Sequence, residues 1–493
     1  MSTTLDRSSD EVRRQATAEL DQGRRAALGQ FMTPNSVADF MASLFQNWSA
    51  ETSLLDPGAG TGSLSEAFAA QFVKNAPPGA RLNISAFEID PLLLSYLREH
   101  LRQLEVRAAD RGYRIENHVR EGDFIREATF ASAFGGGRHS HVILNPPYKK
   151  IAATSEHRRL LRGIGVEVSN LYAAFLALSV LLTAEGGEIV GIVPRSFCNG
   201  TYFRLFRSWL LERVALTHIH VFESRTKAFR EDHVLQENII VRLVRGVPQV
   251  SVTISKSNGP TFDDYAERVV SFAEVVKPAD PERFIHVPTL EKTGGGKLFS
   301  KSLSELGLEV CTGPVVDFRM KDYLSAMPVP DTVPLLYAHH FSGGALHWPR
   351  EHKKPNAIRL SSETRKWMMP RGWYAITKRF SSKEERRRLV AHVFDPGKLP
   401  FEVYGFENHL NVIHARKQGI EPDLARGIAL FLNSTIVDEH FRTFSGHTQV
   451  NATDLRSMRF PSKATIVRFG KWAAKRKTPT QAEIDEFVES HND

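Results

Sequence analysis

Apolar positions over the first 245 residues alternate between two periods. Short, largely apolar runs at 53–55, 82–87, 141–144 and 188–193 read as strands buried in a sheet. Between them the spacing turns helical. Val37, Phe40, Met41, Leu44 and Phe45 follow the start signals Pro34 and Asn35, and Leu64, Ala67 and Phe68 follow a glycine-rich turn. Further helices are expected over 170–183 and 201–212, and strands over 216–222 and 238–243 give a hairpin-like finish. This alternation predicts an α/β class: a doubly wound, Rossmann-like sheet. Beyond about residue 246 the alternation fades, and Gly259-Pro260 and Gly294-Gly295-Gly296-Lys297 mark loops. A chain of 493 residues needs more than one core. The reading is a doubly wound domain over 1–245, a linker over 246–290 and a separate domain over 291–493.

Composition narrows the setting. Two cysteines, Cys198 and Cys311, build neither a disulfide framework nor a Cys-rich zinc site. The start, Met1-Ser2-Thr3-Thr4-Leu5-Asp6, carries no apolar signal core, and the apolar stretch 171–182 is too short to span a bilayer. A cytoplasmic protein without a membrane partner is expected. The net charge of +8 favours a polyanionic partner. The 19 histidines are scattered, His339-His340 reads as a structural or contact pair, and no metal site is expected.

The chemistry concentrates at Asn145-Pro146-Pro147-Tyr148, directly after the run 141–144. Two adjacent prolines neither extend a strand ladder nor enter a helix interior. The chain therefore breaks at the strand's C-terminal edge, where open α/β sheets bind ligands. A primary amide, peptide carbonyls and a flat ring suit the amino group of a planar base: the carbonyls accept its N–H bonds and the ring stacks on it. Three further segments precede this one. The turn 56–62 holds Asp56, Gly58, Gly60 and Gly62; it is neither a P-loop nor the usual dinucleotide fingerprint, but it lets backbone approach a ligand closely. Glu88, ending the second strand, suits a ribose diol. Gly122-Asp123-Phe124 offers a carboxylate and a ring to an adenine. Taken singly, Glu88 and Asp123 read more often as cap or turn residues.

In this order the motifs resemble class I S-adenosylmethionine-dependent DNA methyltransferases that act on the exocyclic amine of adenine. The arrangement is similar to the gamma type, TaqI-like and Eco57I-like, and nearest to the PstI/BsuBI-type methylases of restriction–modification systems. The motifs that carry the resemblance span 28–243. It implies that Asp56, Gly58, Gly60 and Gly62 line the methionine part of S-adenosyl-L-methionine, with Phe31 and Thr33 closing over it. Glu88 would bind the ribose hydroxyls, Asp123 the adenine amine, and Phe124 would lie against that ring. Asn145 and the Pro146 carbonyl would hold the target amine, Tyr148 would stack on the target base, and Phe229 is the candidate for a second stacking ring, with Phe222 behind it.

The same resemblance makes the second domain a target-recognition domain. Residues 312–319 look like the opening element of such domains and residues 444–451 like the closing one. Arg319, Arg442, Gln449 and Asn451 are the candidates for DNA contact. The expected partner is double-stranded DNA, bound by a monomer, with any cognate restriction endonuclease acting independently. A six-base palindrome such as CTGCAG is the target the resemblance suggests. Asn-Pro-Pro-Tyr loops also serve enzymes that methylate a cytosine amine, an RNA guanine or a protein glutamine amide. The long basic C-terminal region speaks against the glutamine enzymes, and Asn rather than Ser before the prolines against cytosine. A DNA-binding subunit with a vestigial cofactor fold is the non-enzyme alternative.

Overall fold

The computed structural model describes residues 15–16, 19, 32–222, 237–288, 297–381, 385–445 and 449–491. Contacts divide the chain into two compact units, Met1–Leu290 and Glu291–Asp493.

The first unit is built on a nine-stranded sheet: β1 (Glu51–Pro57), β2 (Arg81–Glu88), β3 (Arg114–Glu121), β4 (His139–Leu144), β5 (Thr183–Pro194), β6 (Val214–Phe222), β7 (Asn238–Arg245), β8 (Ser251–Ser257) and β9 (Ala266–Ser271). Their spatial order is β3-β2-β1-β4-β5-β7-β6-β8-β9. The first five strands run parallel, and β7 lies antiparallel between β5 and β6. Among the described residues, the helices that set the layers of this unit are α1 (Asn35–Ser43), α2 (Ser63–Asn75), α3 (Pro91–Ala109), α4 (Phe124–Ala133), α5 (Glu156–Gly163), α6 (Leu171–Leu182) and α7 (Arg204–Leu211).

Alternate residues of the strands feed two cores. Leu54, Ile143, Val190 and Ile240 pack with α1, α2 and α3 on one face. Leu55, Val142, Leu144, Ile189 and Val241 pack with α4, α6 and α7 on the other. Helix α6 is buried nearly all round, which accounts for a sequence apolar on every face. The strand order reverses between β1 and β4, so the crevice beyond their C-terminal ends is the switch point where such sheets bind ligands. Both the turn after β1 and the Asn-Pro-Pro-Tyr segment after β4 open there.

One expectation needs correction. Residues 246–290, read as a linker, add β8 parallel to β6 and β9 antiparallel to β8. Val252, Ile254, Val275, Val276 and Ile285 join the core behind β7. Ser251-Val252-Thr253-Ile254-Ser255 alternates at period 2, the pattern of a half-buried strand, and its polar positions hid it from a search for continuous apolar runs.

The second unit holds an antiparallel four-stranded sheet of Glu309–Thr312, Leu410–His414, Tyr374–Lys378 and Ala391–Phe394, beside a five-stranded sheet. Helices Pro422–Leu432 and Lys463–Ala474 pack with the first of these in one core. Among the described residues no helix is long and apolar enough to cross a membrane.

Candidate active site

A cavity of about 430 Å³ opens at the switch point. Six of the residues singled out from sequence line it: Gly58, Gly60, Glu88, Asp123, Phe124 and Asn145.

The end of β2 builds one wall. Gly58 and Ala59 donate their N–H groups to the Phe87 carbonyl at 2.9 and 2.8 Å, which folds the glycine turn against β2. Gly60 N–H donates to Glu88 Oε2 at 2.9 Å, and the N–H groups of Ile89 and Asp90 donate to Glu88 Oε1. Burial pushes the Glu88 carboxyl above its usual range, against these backbone bonds. Gly58 and Gly60 have φ of 84° and 58°, a region that favours glycine, and a Cβ on either would lie 3.5 Å from a lining side chain, Phe175 or Met32. Gly62 also has positive φ, but it faces Leu97 and His100 of α3 rather than the cavity.

Asp56 lies beneath the turn, fully buried. Ser65 Oγ donates to its Oδ2 at 2.7 Å, while its Oδ1 has no hydrogen-bond partner among the described residues. Burial raises its pKa to about 7, with Glu88 adding to the shift and the Ser65 bond opposing it.

Asp123 both caps a helix and lines the cavity. Its Oδ1 accepts from the N–H groups of Ile125 and Arg126 at the start of α4. Its Oδ2 accepts from His157 Nε2 at 2.6 Å. Burial works to raise the carboxyl, but the His157 bond and charge and the two backbone bonds hold it below its usual value. The Asp123 bond raises His157 in turn. Phe124, the next residue, sits between Phe87 and Phe175 with ring centroids 5.2 and 4.9 Å away.

At the end of β4, Asn145 Nδ2 donates to Thr33 Oγ1 at 2.9 Å, and Tyr148 Oη donates to Asn145 Oδ1 at 3.1 Å. Thr33, Pro146 and Tyr148 do not line the cavity, whereas Pro147 and Met32 do. Thr33 is therefore a partner of Asn145, not a cavity wall. Phe31 and Phe229 lie outside the described residues. Sequence reasoning missed His157, Phe87, Phe175, Lys149 and Lys150, all of which line the cavity. Only the two lysines, adjacent to Tyr148, carried a usable signal.

In the second unit the four candidate DNA contacts divide. Arg319 is exposed, its guanidinium 5.6 Å from the centre of the Phe318 ring. Arg442 donates to Asp438 Oδ2 at 2.7 Å and to the Glu385 carbonyl at 3.0 Å. Gln449 Oε1 accepts from Arg379 at 3.3 Å. Asn451 caps the helix Ala452–Ser457 through a reciprocal pair with Asp454. The last three thus make contacts within their own unit.

The donor set fits a nucleoside bearing a charged chain. Two carboxylates, Glu88 and Asp123, face the cavity with the Phe124 ring, and positive-φ glycines clear space beside them. An Eco57I restriction-modification methylase model matches residues 80–229. The chain is 47% identical over 481 residues to the type II methyltransferase M.BsuBI of Bacillus subtilis, covering 94% of each. It is 40% identical over 503 aligned positions to M.PstI of Providencia stuartii, covering 97% of this chain and 96% of that one. A cryo-EM structure of a DrdV–DNA complex shares the fold, with a TM-score of 0.54 at 11% identity over 96% of this chain and 60% of that one. The chain therefore belongs to the type II DNA methyltransferases of restriction–modification systems.

Proposed function

We propose that this protein transfers a methyl group from S-adenosyl-L-methionine to the exocyclic N6 of an adenine turned out of double-stranded DNA, as the modification enzyme of its restriction–modification system. The observation that carries this reading is Asn145: it lines the cavity at the end of β4, and its amide is held at both ends by hydroxyl groups.

An adenine amine is a poor nucleophile because its lone pair is delocalised into the ring. Asn145 Oδ1 and the Pro146 carbonyl accept its two N–H bonds and draw the nitrogen toward a tetrahedral shape. They also stabilise the positive charge that grows on nitrogen as the N–C bond forms and the S–C bond breaks. The cofactor's sulfonium supplies the methyl group, so the protein's part is to orient and desolvate. Asn145 is no base, so the proton leaves N6 for solvent after transfer. Rotating the base out of the duplex costs a few kcal/mol, roughly, and stacking on Tyr148 offsets part of it, at about 1–3 kcal/mol per ring. Phe229 is the proposed second ring and Phe31 the proposed cover over the cofactor.

Glu88 is assigned to the ribose, Asp123 to the cofactor's adenine amine, Phe124 to that ring, and Asp56 with the glycine turn to the methionine part. Arg319 is assigned to DNA. The proposal extends to a monomer that modifies each strand of a six-base palindrome such as CTGCAG, with any cognate nuclease a separate protein. Replacing Asn145 by Ala tests the core of this reading. Turnover is expected to fall by about 10²–10³-fold while affinity for S-adenosyl-L-methionine stays within twofold or so. Near-normal turnover would overturn the acceptor argument.

A further inference from the structure

We infer that Thr33 is a positioning residue of the transfer step, whose hydroxyl anchors the far end of the Asn145 amide. This rests on the reading of Asn145 as the acceptor of the target amine.

A primary amide turns about a soft, two-fold torsion, so shape alone does not fix its plane. Its two ends differ in function, since one accepts and the other only donates. In this protein the donor end is fastened: Nδ2 donates one of its two N–H bonds to Thr33 Oγ1 at 2.9 Å. Thr33 is well suited to be a fixed point. It is buried, its branched Cβ restricts χ1, and Pro34 follows it with φ of −60° and a carbonyl that accepts from Ala38 N–H in the first turn of α1. The anchor is thus tied to the helix that packs against the sheet.

The acceptor end carries the longer of these two hydroxyl contacts. Tyr148 Oη stands 3.1 Å from Oδ1 and also 3.4 Å from the Ile192 carbonyl. It can release Oδ1 to an arriving amine and keep a partner in Ile192. Thr33 stays bonded to Nδ2 throughout, and a hydrogen bond donated by the amide nitrogen strengthens its oxygen as an acceptor. A reversed amide would still find Thr33, because a hydroxyl donates as well as accepts, but it would set N–H against the N–H of the substrate. The substrate therefore selects the orientation and Thr33 holds the plane. Met32, one residue earlier, faces the cavity where Thr33 does not, which separates this role from contact with the cofactor.

The test compares Thr33→Val, Thr33→Ala and Thr33→Ser with Asn145→Ala and with the double variant Thr33→Val/Asn145→Ala. Steady-state kinetics on duplex DNA and calorimetric binding of S-adenosyl-L-methionine are measured for each. Loss of the hydroxyl in Val and Ala is expected to lower kcat by about 10–100-fold, the scale of a small misplacement of a reacting group. KM for DNA and the cofactor Kd should stay within about twofold, and Ser should restore most of the rate. The double variant should be no slower than Asn145→Ala. Unchanged kcat in both Val and Ala would overturn the inference, and a raised cofactor Kd with kcat intact would make Thr33 a cofactor ligand instead. Near-normal turnover of Asn145→Ala would mark failure of the underlying reading, an outcome distinct from either.

Discussion

The Glu88 carboxylate at the end of β2 accepts the backbone N–H of Gly60 at 2.9 Å and so fastens the glycine turn that follows β1. Its other oxygen accepts from Ile89 and Asp90. Glu88→Gln keeps the shape but places an amide N–H against one of these backbone donors. Loss of one such charged bond, at about 1.5–3 kcal/mol, should weaken binding of S-adenosyl-L-methionine by roughly 10–100-fold and lower Tm. Calorimetry and thermal melting read both; an unchanged Kd would remove Glu88 from the binding scheme.

On the proposed reading Asp123 has two separable tasks, capping α4 and binding the cofactor's adenine amine. Asp123→Asn keeps an oxygen for the N–H groups of Ile125 and Arg126, so capping of α4 should change by only a few tenths of a kcal/mol, roughly. It replaces the oxygen now facing His157 by a donor, which an adenine amine cannot use. Cofactor affinity should drop at least tenfold, about 1.4 kcal/mol, with a fall in Tm no larger than loss of the His157 bond accounts for. Unchanged affinity would leave Asp123 as the cap of α4 and the partner of His157 and nothing more.

Asp56 makes stability depend on pH. It keeps its proton to about pH 7 when folded, against a usual value of 3.8. The folded state therefore binds more protons across that window. The contribution is full below the unfolded pKa and is lost as pH rises through the folded one. Asp56→Asn can still accept the Ser65 bond and has no proton to lose. The variant should gain on the native protein by an amount on the order of a few kcal/mol between about pH 4 and pH 8. Parallel melting curves over that range would contradict the assignment.

The two arginines of the second unit should behave differently. Arg319→Ala is expected to weaken DNA binding and reduce the salt slope by about one, with little change in Tm. Arg442→Ala removes the bond to Asp438, which itself accepts from the Arg388 and Leu389 N–H groups, so it should lower Tm. Fluorescence anisotropy across salt concentrations and thermal melting separate the two. A reversed pattern would reassign them.

Much of the catalytic unit was legible because its signals are local. The glycine turn, Gly122-Asp123-Phe124 and Asn145-Pro146-Pro147-Tyr148 each follow a strand, Glu88 is the last residue of one, and the sheet order gathers them at one edge. What escaped reading depends on tertiary contact. His157 meets Asp123 only because α5 folds back over the cavity, 34 positions along the chain. Phe175 lies in a helix apolar on every side, so nothing marks it as a cavity residue. In the second unit a polar side chain looks the same in sequence whether it meets DNA or caps a helix, and Asn451 caps one.

The central claim is the identity of the methylated atom. Single-molecule sequencing of plasmid DNA from methylase-free bacteria expressing this chain reads it directly, with nucleoside mass spectrometry of the same DNA to fix the modified atom. The account predicts N6-methyladenine at one recurring motif, absent when Asn145→Ala is expressed instead. N4-methylcytosine, or no modified base from protein that still binds S-adenosyl-L-methionine, would contradict it.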